Sequence, residues 1–510
     1  MLTRLKVNGF KNLVDVDVRF GPFTCIAGAN GVGKSNLFDA ILFLSSLADK
    51  TLIDAAKSVR DEEGRSSDIR GLFHRVGDKY ADEMTFEVEM IVPEKGIDDL
   101  GQEAKAKITF LRYLVKIGFR KDKPGGLELL HEELTHINLS AAPKHLLFPH
   151  TVSTWRDSVM KGRRSGVAFI STEEKRTEKG TERIIEIHAD SEGGGRSRRI
   201  LAANLPRTVL STVNASENPT ALITKREMQS WRLLQLEPSA LRKPDEITAP
   251  TKMRADGSHL AATLYFLPKT KFAVEQGDMG ARNTEEAATA IYAQLANRLA
   301  ELIDDVRDVT VDFDEKRETL TVMLTGRDGT PHTARSLSDG TLRFLALATL
   351  ELDTESPGLI CLEEPENGIH PERIPAMLAL LQDIATDADD PIGPDNPLRQ
   401  VIVNTHSPAV VAQIPDDCLL VAELSENVRD GARFKSVRFS CLSDTWRQKS
   451  PEQPNVITKG KLLSYLNPVE PEEAELHYGT VRKKIRGVKR RVIDRSELLQ
   501  MFLPYAAEPK

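Results

Sequence analysis

A chain of 510 residues, 40% apolar and 28% charged, has the balance of a soluble globular protein, with length for about three domains. A net charge of −7 excludes a chain that is basic overall, so any contact with nucleic acid must come from a local patch. Four cysteines without C-x-x-C spacing exclude a disulfide framework and a sequence-readable zinc site; with no apolar run near 18 residues and no signal-peptide core at Met1, the expectation is a cytoplasmic protein without membrane contact.

Residues 2–10 and 14–20 are short segments rich in β-branched and aromatic side chains, closed by the Gly21-Pro22 break. Residues 23–27 predict a buried strand that runs straight into Gly28-Ala29-Asn30-Gly31-Val32-Gly33-Lys34-Ser35. Beyond it Leu37, Ala40, Ile41, Leu44 and Leu47 recur at helical spacing. The eight residues between strand and helix fit G-x-x-x-x-G-K-[ST], and each part has a physical reason. Gly28, Gly31 and Gly33 let backbone N–H groups converge on phosphate oxygens, and the helix N-terminus adds positive potential. Lys34 supplies a point charge to the β- and γ-phosphates, and the Ser35 hydroxyl can ligate Mg²⁺. Nucleotide binding follows, with Asn30 and Asn36 flanking the same loop.

Residues 84–92 alternate apolar and acidic side chains, as a half-exposed strand does. From about 100 to 250 the pattern is irregular, with strand candidates at 108–119, 166–171 and 183–187 between polar stretches, and the expectation is an α+β insertion with a small core of its own. Regular signals return with a helix at 260–267. Ile291, Leu295, Leu299, Leu302 and Val306 then mark one apolar helix face, followed by strands at 309–313 and 320–324. Helices at 340–352, 371–384 and 408–413 alternate with strands at 359–362, 400–404 and 418–422, which predicts a mainly parallel sheet with helical crossovers. The expected division is a first half of a nucleotide-binding fold over 1–100, an insertion over 101–250, the second half over 251–425 and an extension over 426–510.

The second half carries its own candidates. The apolar strand at 359–362 runs into Glu363-Glu364, delivering carboxylates to the sheet edge where a metal and a water would sit. Because neighbours on a strand face opposite ways, one acid is expected to anchor Mg²⁺ and the other to orient or deprotonate water. A solvated acidic loop, Glu-Glu-Pro-Glu, is the plainer alternative. Ser338-Asp339-Gly340-Thr341 opens a helix and either caps it or aims the helix end at a phosphate. His406 follows the 400–404 strand, where it can sense γ-phosphate charge or be purely structural.

This ordered set resembles the ABC-type ATPase heads of the SMC, RecF and OLD-like group of AAA family ATPases, well over 1–50 and 330–425 and loosely over 225–330. The resemblance implies a P-loop α/β head with a mixed, mainly parallel sheet and flanking helices, binding ATP and Mg²⁺. Gly9-Phe10-Lys11-Asn12 looks like the group's opening strand motif, which brings Lys11 and Asn12 near the nucleotide. Ser338 to Thr341 looks like the signature loop, which in such heads contacts the γ-phosphate held by the opposite subunit. A homodimer or higher oligomer of ATP-sandwiched heads is therefore implied. Glu364 matches the catalytic glutamate, His406 the switch histidine, and Glu363 stands at the metal position where an aspartate is more usual. The Q-loop glutamine has no counterpart between 48 and 101, and His74 or Arg75 is the candidate for that region. OLD-like nucleases carry a Toprim domain after the ATPase, but no D-x-D follows residue 425, so no intrinsic nuclease is expected. Stand-alone cassettes of this kind resemble ATPase components of bacterial anti-phage systems, which implies a separate effector protein, possibly a nuclease. The alternatives are a RecF-like DNA-repair ATPase and a nuclease with an unrecognised C-terminal site.

Residues 476–495 hold eight basic side chains and one acid, concentrated at 482–495. Such a run can bind phosphate backbones, pair with the acids at 470–475, or dock an acidic partner.

Overall fold

The computed structural model describes residues 1–458 and 462, apart from 60–68, 122–125, 163–165, 178–179, 191–196, 277–280, 302, 304, 354–357, 430 and 452–453. The basic run at 482–495, with the rest of the chain after 462, lies outside the described residues.

Strands β1 (Leu2–Asn8), β2 (Val16–Arg19) and β3 (Phe23–Ala27) precede helix α1 (Lys34–Leu47), as the sequence pattern predicts. Next come β4 (Glu83–Ile91), β5 (Phe110–Phe119), β6 (Leu127–His136), β7 (Ile170–Thr177), β8 (Gly180–Ile187) and β9 (Arg198–Leu201). With β1 and β2 they form one antiparallel sheet in the order β9-β8-β7-β6-β5-β4-β1-β2. Met84, Phe86, Val88 and Met90 alternate along β4 and are buried. They pack toward α1, where the rings of Phe10, Phe43 and Phe86 lie 5.4–5.9 Å apart. The stretch expected as an insertion with a small core of its own is not separate from the first sheet. Its strands β5 to β9 continue the sheet opened by β1 and β4, so Leu129, Leu134, Ile170 and Ile185 share one apolar cluster with Phe38 and Leu44 of α1. Pairing the open edge of β4 buries this apolar surface, while Phe110, Ile137, Leu146, Phe148, Trp155 and Met160 of the same stretch gather in a smaller cluster with Met1, Ile91, Leu398 and Trp446.

Glu132 of β6 is fully buried in that cluster. It accepts the N–H groups of Val209 (2.6 Å) and Leu210 (2.9 Å) and the Tyr113 hydroxyl (3.0 Å). Burial pushes its carboxyl up to about 7, against the pull of those bonds. A carboxyl whose proton is held more tightly folded than unfolded loses stability as pH rises, here from about 4.5 to 7. Glu132→Gln is therefore expected to flatten this dependence. The stability gap between wild type and variant, measured by urea unfolding, should shift by about 2–3 kcal/mol between pH 5 and pH 8, and a gap that stays constant would contradict the assignment.

Helix α2 (Pro219–Gln229) leads to β10 (Arg232–Leu234), which lies within the expected insertion but belongs to a second sheet. Helices α3 (Leu260–Gln276) and α4 (Ala281–Ala300) and the hairpin β11 (Val306–Asp314) and β12 (Thr319–Gly326) follow. Ile291, Leu295 and Leu299 are buried on α4 as expected, but Val306 opens β11 instead of continuing the helix face. Then come α5 (Asp339–Leu352), β13 (Gly358–Glu363), α6 (Ile374–Ile384), β14 (Arg399–Thr405), β15 (Leu419–Arg429), β16 (Ala432–Leu442) and β17 (Asn455–Ile457).

The second sheet runs β10-β13-β14-β3-β15-β16-β17, parallel from β10 to β15, with β15 and β16 an antiparallel hairpin. Strand β3, from the start of the chain, thus lies between two strands that follow residue 398. Both ends of the chain build one sheet, as the alternation of elements predicts. Arg399, at the start of β14 and 1% exposed, donates to the carbonyls of Leu350 (2.7 Å) and Asp353, holding the last turn of α5.

Candidate functional site

Parallel strands deliver their C-terminal ends to one edge of a sheet, and this edge collects the candidate residues. Strand β3 ends in the 28–35 loop, β10 in Gln235, β13 in Glu363-Glu364, and β14 in Thr405-His406. The Gly28 N–H donates to the Thr405 carbonyl (3.2 Å), and a Cβ at Gly28 would meet the Ala422 carbonyl oxygen at 2.6 Å, so only glycine lets the loop leave the sheet here. Gly33 has φ +105°, and a Cβ there would overlap the Asn12 side chain at 2.3–2.8 Å. It stands at the N-cap of α1 and offers no side-chain acceptor, so the first-turn N–H groups have no side-chain cap. Asn30 and Gly31 are exposed at the loop tip, with Ser35 and Asn36 half-buried behind.

Lys34 is 6% exposed and folds back on its own loop, donating to the carbonyls of Gly28 (2.7 Å) and Ala29 (3.0 Å). Burial lowers its pKa, and the charges of Glu364, Glu363 and Glu366 pull it back up. Lysine and carboxylates, more than 300 residues apart in sequence, therefore share one electrostatic site. Asn12 donates to the Val32 carbonyl (3.1 Å) and accepts from the Asn36 amide (2.8 Å), clamping the loop from the side. Lys11 sits with φ +48° and pairs with Asp39 of α1 at 2.7 Å.

The two acids of the Glu-Glu pair do not take opposite faces. The strand ends at Glu363, and Glu364 turns into the left-handed region at φ +46°, so both line one cavity of about 260 Å³ with Gln235, Arg343 and Asn367. Such a backbone in a non-glycine residue costs of order 1 kcal/mol and marks a position held by its surroundings. What holds it is visible. The Glu364 N–H donates to the Asn404 carbonyl (2.9 Å), while its carboxylate accepts from the Asn367 amide (2.9 Å) and lies 2.6 Å from His406 Nδ1. Burial raises the Glu364 pKa, but these two bonds and the charges of His406 and Lys34 outweigh it and hold the carboxyl below its ordinary value. Glu363 accepts from the Asn404 amide at 3.3 Å.

Two residues at this edge escape a sequence reading. Gln235 directly follows β10, the strand paired with β13, and lines the carboxylate cavity. The 48–101 window, where the resemblance put its candidates, holds no glutamine. His74 instead lies behind the Lys11 turn, with Nδ1 2.7 Å from the Lys11 carbonyl, and Arg75 pairs with Asp78 at the surface; neither lines the cavity. Glu366 is 8% exposed; it accepts from the Thr405 hydroxyl through one oxygen, while its other oxygen is buried without a hydrogen-bond partner. Burial raises its pKa.

The Ser338 loop opens α5, the helix whose Arg343 lines the carboxylate cavity. Ser338 caps α5 by accepting the Thr341 N–H (3.1 Å), and both it and Asp339 are exposed. A Cβ at Gly340 would meet the Gly368 carbonyl oxygen at 2.7 Å. Arg242 donates to the Leu337 carbonyl (2.9 Å) and to the Asp339 carboxylate (2.5 Å), and Arg343 to the carbonyls of Leu236 (3.3 Å) and Asn367.

A family model described as "AAA domain, putative AbiEii toxin, Type IV TA system" matches residues 23–97 and 199–412, more than half of the chain. A DNA replication and repair protein RecF from Phocaeicola vulgatus is 34% identical over 74 residues, 14% of this chain; the match spans 20% of that relative's length. An Smc head bound to the C-winged helix domain of ScpA is similar over 87% of this chain and 98% of its own, at 16% identity and a TM-score of 0.42. An Smc head with an extended coiled coil, bound to the C-terminal domain of ScpA derived from Pyrococcus furiosus, covers 86% and 96% at 13% identity and a TM-score of 0.40. Among the described residues no helix is long and apolar enough to cross a membrane.

Proposed function

The chain belongs to the family described as "AAA domain, putative AbiEii toxin, Type IV TA system"; from that premise we propose an ATPase of the AAA/SMC/RecF type, a cytoplasmic ABC-type head that closes on a second copy around ATP and couples hydrolysis to a separate effector protein in anti-phage defence. The observation that carries the hydrolytic part is that β3 and β13 end at one sheet edge, where the charge of Lys34 and those of Glu363 and Glu364 act on one another.

The residues fit a magnesium-bound triphosphate. Uncapped N–H groups of α1 and the 28–35 loop would receive phosphate oxygens, and Lys34 would exchange its two loop carbonyls for the β- and γ-phosphates. Ser35 and Glu363 would hold Mg²⁺, which when bound neutralises developing phosphate charge. Glu364, kept ionised and oriented by Asn367 and His406, would position the attacking water. Gln235 would steady that water or the metal from the neighbouring strand end. Ser338 and Gly340 of the second copy would complete the site, which fits the exposure of Ser338 at the start of α5.

Light scattering of the full chain tests the closure. Mass is expected to double with Mg²⁺ and a non-hydrolysable ATP analogue and to stay single with ADP; a mass indifferent to nucleotide would sink it. Gln235→Ala is expected to bind ATP within about threefold of wild type while turnover falls about tenfold or more, because orientation and not affinity is lost; steady-state kinetics against a binding titration separates the two. The RecF match favours a second reading, a DNA-repair ATPase acting on DNA through the 482–495 run. Turnover stimulated by gapped or duplex DNA, steeply weakened by salt and lost on truncation after Glu475, would favour that reading.

A further inference from the structure

Within the signature-like loop the second residue is an acid. Asp339 is exposed in the first turn of α5, beside the N–H groups that, on the reading above, receive the triphosphate held by a second copy. An anion in that place favours the isolated helix end and opposes an incoming phosphate. The only cation the described contacts give Asp339 is Arg242, whose guanidinium lies 2.5 Å from the carboxylate and is tied to the loop itself through the Leu337 carbonyl at 2.9 Å.

We propose that Arg242 is a positioning residue for the composite ATP site: it neutralises and holds aside Asp339 so that the Ser338–Gly340 loop can accept the γ-phosphate bound by a second copy of this chain. This inference rests on the proposed closure of two copies on ATP.

Stability offers a weak reason for the pair. An exposed ion pair contributes little to folding, and the Asp339 side chain is 56% exposed. Placement offers a stronger one. Arg242 closes a short helical turn (Pro238–Leu241) on the segment that begins at Gln235, inside the carboxylate cavity. Arg343, on α5 itself, donates to Leu236 of that segment and to Asn367, whose side chain holds Glu364. The segment thus runs from a chain's own cavity to the loop it presents outward, and Arg242 stands at the outward end.

Rescue by charge removal tests the proposal on the full chain. Arg242→Ala should melt within a few degrees of wild type and bind a fluorescent ATP analogue with unchanged affinity. Its analogue-dependent dimer should be at least tenfold weaker, and its turnover should cease to rise with protein concentration. Arg242→Ala combined with Asp339→Asn should recover the dimer to within about threefold, because no uncompensated anion then faces the phosphate. A double variant as weak as Arg242→Ala, or an Arg242→Ala dimer as strong as wild type, overturns this inference alone. A wild-type chain whose mass ignores nucleotide overturns the closure and this inference together.

Discussion

Glu364→Gln is expected to lower ATP turnover about 100-fold or more while leaving nucleotide affinity within a few-fold of wild type. The amide keeps the shape and can still meet His406 and Asn367, but it cannot take a proton from water or hold it by charge. Single-turnover hydrolysis beside equilibrium binding separates the two effects, and a variant that hydrolyses at the wild-type rate would remove Glu364 from the chemistry. The pH profile carries a second mark. Because hydrogen bonds and neighbouring charges hold the Glu364 carboxyl below its ordinary value, the acid limb of the wild-type rate profile set by this group should lie below the usual carboxylate range. Asn367→Ala removes one of the bonds that lower it, so the limb should move to higher pH.

Lys34→Ala is expected to do the opposite, weakening ATP binding about 10- to 100-fold, the worth of one or two charge-assisted hydrogen bonds to phosphate. It also removes a cation whose charge helps to lower the Glu364 pKa, so the Glu364 carboxyl should titrate at higher pH than in wild type. Isothermal titration with an ATP analogue reads the first effect. A Lys34→Ala chain with wild-type affinity would show that the ammonium stays on the Gly28 and Ala29 carbonyls when nucleotide is bound.

Much of the nucleotide edge was legible because its residues lie on short buried strands with unambiguous ends. The run at 23–27, followed by a glycine loop and a helical period, and the run at 359–362, followed by two acids, each allow one placement. The antiparallel sheet was harder. Leu127–His136 reads L-E-L-L-H-E-E-L-T-H, a composition that suits a helix, and only pairing with β5 and β7 makes it a strand. Glu364 misled for a different reason: strand alternation assumes that the strand continues, and here the backbone reverses into the left-handed region one residue past its end. Gln235 and Glu366 carry no local signal, since a glutamine after three strand residues and an acid in an acidic loop become informative only when β10 and Thr405 are placed in space.

The position of β3 has a consequence for synthesis. Both neighbours of this strand are translated after residue 398, so a nascent chain carries the phosphate loop on a segment with two open edges until the ribosome has passed that point. The antiparallel sheet, complete by Leu201, can form well before that and gives α1 a surface to rest on. An emerging polypeptide would then hold Lys34 on a folded platform long before it possesses Glu363 and Glu364, and a translation product cut short before them would be a structured body without the second half of that edge.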